Sequence, residues 1–161
     1  MQTHRLSPDH IKEFVLAGKA LFTVLNTKTG GRFTFKVSKA ASKDASGVPH
    51  RCTLWFVKVL TGPDNTSCYT FLGTFQQFQD GPIVYRHSLK APIGEQAPSA
   101  LGAAWLARRL TDGAFPPNMA VFHEGRCGRC GKLLTVPESV ESGFGPECIK
   151  KVGGRQLPLA M

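Results

Sequence analysis

Apolar and polar residues alternate most cleanly between Arg32 and Ser38. Phe33, Phe35 and Val37 fall on one side, and Arg32, Thr34, Lys36 and Ser38 on the other. A period of two sends successive side chains to opposite faces of a β-strand. With the strand-like run Leu21 to Asn26 and the turn-forming Thr27-Lys28-Thr29-Gly30-Gly31 before it, this stretch predicts a β-hairpin. Cys52 to Leu60 is apolar almost throughout, which predicts a strand in the middle of the sheet. Thr61 to Asn65 is a turn, Cys68 to Phe75 pairs back, and Ile83 to His87 supplies a fifth strand. Tyr69, Phe71 and Phe75 share one parity, so an uninterrupted strand places them on one face.

Two helices flank these strands. Ser7-Pro8-Asp9 opens the first, with Ile11, Phe14, Val15 and Ala17 as its apolar side and Gly18 as its stop. The second runs from Pro98 to Leu110. Leu101, Ala104, Trp105, Ala107 and Leu110 are its candidate buried stripe, and Arg108 and Arg109 complement the dipole in its last turn. Asp112-Gly113 and Pro116-Pro117 then break the chain before a short strand, Met119 to Phe122. The expected fold class is α+β: an antiparallel sheet of about five strands with flanking helices, over residues 1–115, and a small C-terminal module over 116–161.

That module carries the chemistry. His123, Cys127, Cys130 and Cys148 form the pattern H-x3-C-x2-C-x17-C. A C-x2-C pair turns two sulfurs toward one point, and Zn2+ takes four tetrahedral N or S ligands. Cys148 follows Gly145-Pro146, an N-cap and first helical position, so its thiol sits in the first turn of a helix, where the dipole favours the thiolate. His123, at the end of the short strand, is the expected fourth ligand; Cys52, Cys68 or water are the alternatives. Between the pairs, Thr135 and Glu138 have capping-box spacing, and Gly143 suits a left-handed helix end. A redox C-x2-C of the thioredoxin kind is the competing reading, and it lacks the βαβ setting.

The order knuckle, hairpin, short helix, helix N-terminus resembles a treble-clef zinc finger. The run from Cys127 to Lys132, with Leu134, Thr135 and Pro137-Glu138-Ser139, followed by Ser142 to Cys148, resembles a small zinc-binding domain at the ends of many uncharacterised bacteriophage and prophage proteins. The similarity covers residues 123 to about 152. Phe56 to Asn65 and Tyr69-x-Phe71-Leu72-Gly73 extend it more loosely. The resemblance implies a metal site and a phage-like source, and no particular activity.

Charge narrows the partners. The 161 residues hold 20 Lys and Arg against 11 Asp and Glu, a formal charge of +9. Such a balance favours anionic partners. Arg126, Arg129 and Lys132 ring the knuckle, Lys150 and Lys151 extend the last helix, and Arg32 and Lys36 line one face of the hairpin, where they can follow a phosphate backbone or simply face water. The aromatic row can likewise stack bases or fill the core.

Catalysis is not expected. The chain has no phosphate-binding glycine loop and no nucleophile elbow, and Gly125 stands where a zinc deaminase needs its acid. Two partner classes remain: nucleic acid, or a host protein complex such as a defence system, modulated by a phage accessory protein. No apolar run long enough for a membrane span occurs, and Met1 to His10 lacks a signal-peptide core, so the expected setting is the cytoplasm of a bacterial host. There Cys52 and Cys68 are expected to be reduced core residues, with a disulfide between them as the alternative.

Overall fold

The computed structural model describes residues 5–41, 52–63, 67–134 and 142–151. Helix α1 spans Pro8–Val15, followed by strands β1 Lys19–Asn26, β2 Arg32–Lys39, β3 Thr53–Leu60, β4 Tyr69–Gln77 and β5 Val84–His87. Helix α2 spans Pro98–Asp112, strand β6 Met119–His123 and helix α3 Pro146–Lys151. The strands form one antiparallel sheet in the order β5-β4-β3-β2-β1-β6. The apolar run of β3 does take an interior place, and the strand before His123 adds a sixth member beside β1. The expected α+β class and flanking helices are present, with the three C-terminal cysteines at one corner.

Both longer helices pack on the same side of the sheet. Phe14 of α1 meets Phe22 edge-on, with ring centroids 6.4 Å apart. The Trp55 indole N–H donates to the Leu16 carbonyl at 3.0 Å, tying β3 to the end of α1. On α2 the buried residues are Ala100, Ala103, Leu106, Ala107 and Leu110. Leu101 is exposed and Trp105 half-buried, so the stripe is rotated from the expected one. Small residues explain the rotation. Gly102 lies against the rings of Phe33 and Phe35, and alanines let the helix approach them closely where larger side chains would hold it off.

A β-bulge changes the faces of β4. Trp55 pairs with Phe75 and Val57 with Gly73, but the register slips at the next step, so that Lys58 pairs with Phe71 and Leu60 with Tyr69. One extra residue reverses which side each later side chain takes. Phe75 is therefore buried under the helices, while Tyr69 and Phe71 stand on the opposite face; the expected single aromatic row is split. Gly73 sits at this point because a Cβ there would land on the Arg86 carbonyl oxygen of β5.

Among the described residues no helix is long and apolar enough to cross a membrane. Cys52 and Cys68 are free thiols, and both are half-buried rather than core residues, because they lie just outside the ends of β3 and β4. They flank opposite ends of the β3–β4 pair, next to Thr53↔Gln77 and Leu60↔Tyr69. Eight residues of strand separate those ends by about 25 Å, far beyond disulfide reach.

Candidate metal centre

Three chain segments converge at the corner where β1 begins and β6 ends. The first is the knuckle. Arg126 and Leu133 form an antiparallel bridge, the Cys127 N–H donates to the Lys132 carbonyl at 2.8 Å, and the Gly131 N–H donates back to the Cys127 carbonyl at 2.9 Å. Gly131, at φ 82°, supplies the left-handed residue that this tight reversal needs. The second is the turn through Gly143, at φ 83°, whose carbonyl accepts from the Gly128 N–H at 2.9 Å. The third is α3, begun at Gly145, whose carbonyl accepts the Ile149 N–H at 3.0 Å. The residues of the expected capping box, Thr135 to Glu138, lie outside the described residues.

These segments bring the Sγ atoms of Cys127, Cys130 and Cys148 within 4.8 Å of one another. A tetrahedral site with metal–sulfur bonds of about 2.3 Å puts its sulfurs roughly 3.8 Å apart. The donor set therefore fits a thiophilic metal after small side-chain adjustments. Cys127 and Cys148 are buried and Cys130 half-buried, so the sulfurs are largely withdrawn from water.

Hydrogen bonds and burial move the Cys127 and Cys148 thiols in opposite directions. Burial pushes the Cys127 thiol up, but the backbone N–H groups of Gly145, Cys130 and Arg129, with the Cys130 side chain, bring it below its ordinary value. Cys148 moves the other way. Burial raises it, the neighbouring Cys130 and Cys127 sulfurs add to the rise, and the Arg129 side chain opposes them. Negative charge at Cys127 thus discourages a thiolate at Cys148, and a bound cation would remove that repulsion.

Arg129 serves the sulfurs twice. Its backbone N–H lies 3.4 Å from Cys127 Sγ and its guanidinium 3.6 Å from Cys148 Sγ. Three thiolates around a divalent ion leave one negative charge, and this arginine sits where it offsets that charge. Arg126 donates to the Gly131 carbonyl at 3.2 Å and helps close the knuckle. Lys132 and Lys150 are exposed beside it, whereas Arg32 and Lys36 belong to strand β2 of the sheet. Lys151 ends α3.

His123 stands outside the three-sulfur group. It is buried, it packs on Phe14 with ring centroids 5.8 Å apart, and its Nδ1 accepts the Gly125 N–H at 2.9 Å. A backbone N–H can only donate, so the neutral ring carries its proton on Nε2. In that tautomer neither nitrogen offers a free lone pair to a metal. Of the four expected ligands, the structure gathers the three cysteines.

The cysteine corner also shares the body's core. Phe14 contacts Phe144 with ring centroids 5.8 Å apart, and a Cβ on Gly128 or Gly143 would come within 2.6 Å of the Phe14 ring. The Gly128 carbonyl accepts the Lys19 N–H at 2.7 Å, anchoring the knuckle to the first residue of β1. In the sequence Phe14 is one apolar residue of a helix face. Its place as the pin between sheet and knuckle shows only when the glycines that make room for it are seen together.

No curated protein and no solved structure matches the chain. Residues 118–153 are similar to a family of unknown function (DUF6011), a segment that begins just before β6 and ends just past α3. The matched segment contains all three clustered cysteines and His123.

Proposed function

We propose that this chain is a non-catalytic, phage-type protein in which Zn2+ staples the C-terminal corner to the sheet and in which basic surfaces bind nucleic acid in the host cytoplasm. The observation that supports zinc is the convergence of three thiols from three segments on a point where backbone N–H groups and Arg129 already counter negative charge. Tetrahedral sites closed by four protein ligands are structural, and the zinc they hold contributes directly to folding. His123 becomes the fourth ligand if metal binding releases the Gly125 bond; otherwise a water takes that vertex.

Nucleic acid is favoured as the partner by the excess of 20 basic over 11 acidic residues and by the exposed Arg126, Lys132 and Lys150 beside the metal. The test is an electrophoretic shift of the zinc-loaded protein on single- and double-stranded DNA and RNA, at low and physiological salt. Binding that weakens steeply with salt supports the reading. No shift at low salt, together with a stable complex with one host protein, replaces it with the accessory-protein reading.

A further inference from the structure

The sheet face opposite α1 and α2 combines aromatic and cationic side chains in a defined array. The register sets two adjacent rows across it. Arg86, Thr74, Phe56, Ser38 and Lys19 form one, and Phe71, Lys58, Lys36 and Leu21 form the next. Phe56 is 41% exposed and meets Phe71 with ring centroids 6.4 Å apart. Arg86 and Lys19 end the first row, four strand spacings or about 19 Å apart.

Lys36 and Lys58 are direct cross-strand partners. Like charges set opposite each other are destabilising unless an anion lies between or above them. Lys36 Nζ instead lies 5.7 Å from the Tyr69 ring centroid, a cation–π contact on the same face. Among the described residues no helix packs on this side.

We propose that this face binds single-stranded nucleic acid, with bases stacked on Phe56 and Phe71 and phosphates held by Lys36, Lys58, Arg86 and Lys19. It rests on the nucleic-acid reading above and moves the main contact from the knuckle to the sheet. Only unpaired bases offer their π-faces, so a flat aromatic sheet selects single strands over duplex. A protein partner fits the array less well, because the centres of protein interfaces are depleted of charge, and of lysine in particular. Here two lysines lie beside the aromatic centre.

The test is fluorescence anisotropy of the zinc-loaded full chain with labelled oligothymidylate, oligouridylate and a mixed-sequence duplex, across a salt series. Phe56→Ala/Phe71→Ala is expected to weaken single-strand binding by about tenfold or more while leaving the salt slope unchanged. Lys36→Gln/Lys58→Gln, which spares the aromatic rings, is expected to lower the salt slope by about 1.4. This second pair keeps the test decisive if the first fails to fold. Arg126→Ser/Lys132→Ser is expected to have the smaller effect.

Single-strand binding that survives both sheet variants and falls only in the knuckle variant overturns the assignment and leaves the nucleic-acid reading standing. Preference for duplex does the same. No binding of any probe by the unaltered protein at low salt overturns both. Concentration-dependent self-association abolished by Phe56→Ala/Phe71→Ala overturns the assignment and gives the face to a second copy of the chain.

Discussion

On the helix side of the sheet, Phe22, Phe35, Val57 and Phe75 lie sealed beneath α1 and α2. On the other side of the same strands, Phe56 and Val84 are 41% and 49% exposed and stand among lysines and an arginine. The covered face holds the fold together through apolar contact and ends at the metal corner. The open face contributes less to burial. Aromatic residues occur on both, and the bulge between Val57 and Lys58 puts Tyr69 and Phe71 on the open face and Phe75 on the covered one.

The sharpest way to separate the faces is to remove the metal. The Cys127 corner is in the core of the covered face, so a chelator, or Cys127→Ser with Cys148→Ser, should unfasten Phe14 and Phe144 together. Zinc-dependent folding energies are large. A loss of about 5 kcal/mol or more is expected, read from denaturant midpoints with and without chelator. An unchanged midpoint would mean that the corner holds without metal. X-ray absorption of the zinc-loaded protein would show the fourth ligand as nitrogen from His123 or oxygen from water.

Next is the pin itself. Phe14 is fully buried and touches Phe22, His123 and Phe144. Phe14→Ala is expected to cost about 3–5 kcal/mol and to weaken zinc retention as well. A stability loss with zinc affinity intact would uncouple the corner from the helix side. Gly128→Ala probes the same contact from the knuckle. Its Cβ would lie 2.6 Å from the Phe14 ring, and overpacking of about 1–3 kcal/mol is expected, relieved in part when combined with Phe14→Leu.

Much of this division was legible in the chain. The alternation of β2, the apolar run of β3, the proline-started helices and the C-x2-C…C spacing are local signals, and local signals survive into the fold. Three features were not. The split of Tyr69 and Phe71 from Phe75 depends on a register slip that leaves no mark in a period-two pattern. The rotation of α2 follows from how closely alanines let it approach Phe33 and Phe35, a property of the pair rather than of the helix. The Gly125 N–H that occupies His123 Nδ1 comes from a turn whose geometry no ligand spacing encodes.

A smaller effect concerns a polar chain on the helix side. The Tyr85 hydroxyl donates to His87 Nδ1 at 2.8 Å, and His87 Nε2–H donates to the Ile93 carbonyl at 2.8 Å, holding the loop before α2. Burial, assisted by the negative charge of Glu95, raises the Tyr85 phenol from 10.0 to about 12. The folded protein therefore keeps this proton after the unfolded chain has lost it. Its contribution to stability is fully present below pH 10 and falls away as pH rises toward 12. Denaturant midpoints across that interval should decline, and Tyr85→Phe should flatten the decline. An equal slope in both proteins would assign the alkaline loss to other groups.

The smallest expected effect carries the comparison furthest. Phe56→Ala removes a ring of the same size as Phe14, from a site on the opposite face that is 41% exposed. Exposed truncations away from caps, cavities and networks usually fall within about 0.5 kcal/mol. The unfolding midpoint should therefore barely move, even though the ring leaves its contact with Phe71. A loss nearer 2 kcal/mol would mean that the ring is packed by the fold itself, and the contrast between the faces would disappear. A neutral result leaves a phenylalanine that water should disfavour and stability does not require, set among cations. That outcome is the one the proposed single-strand interface requires.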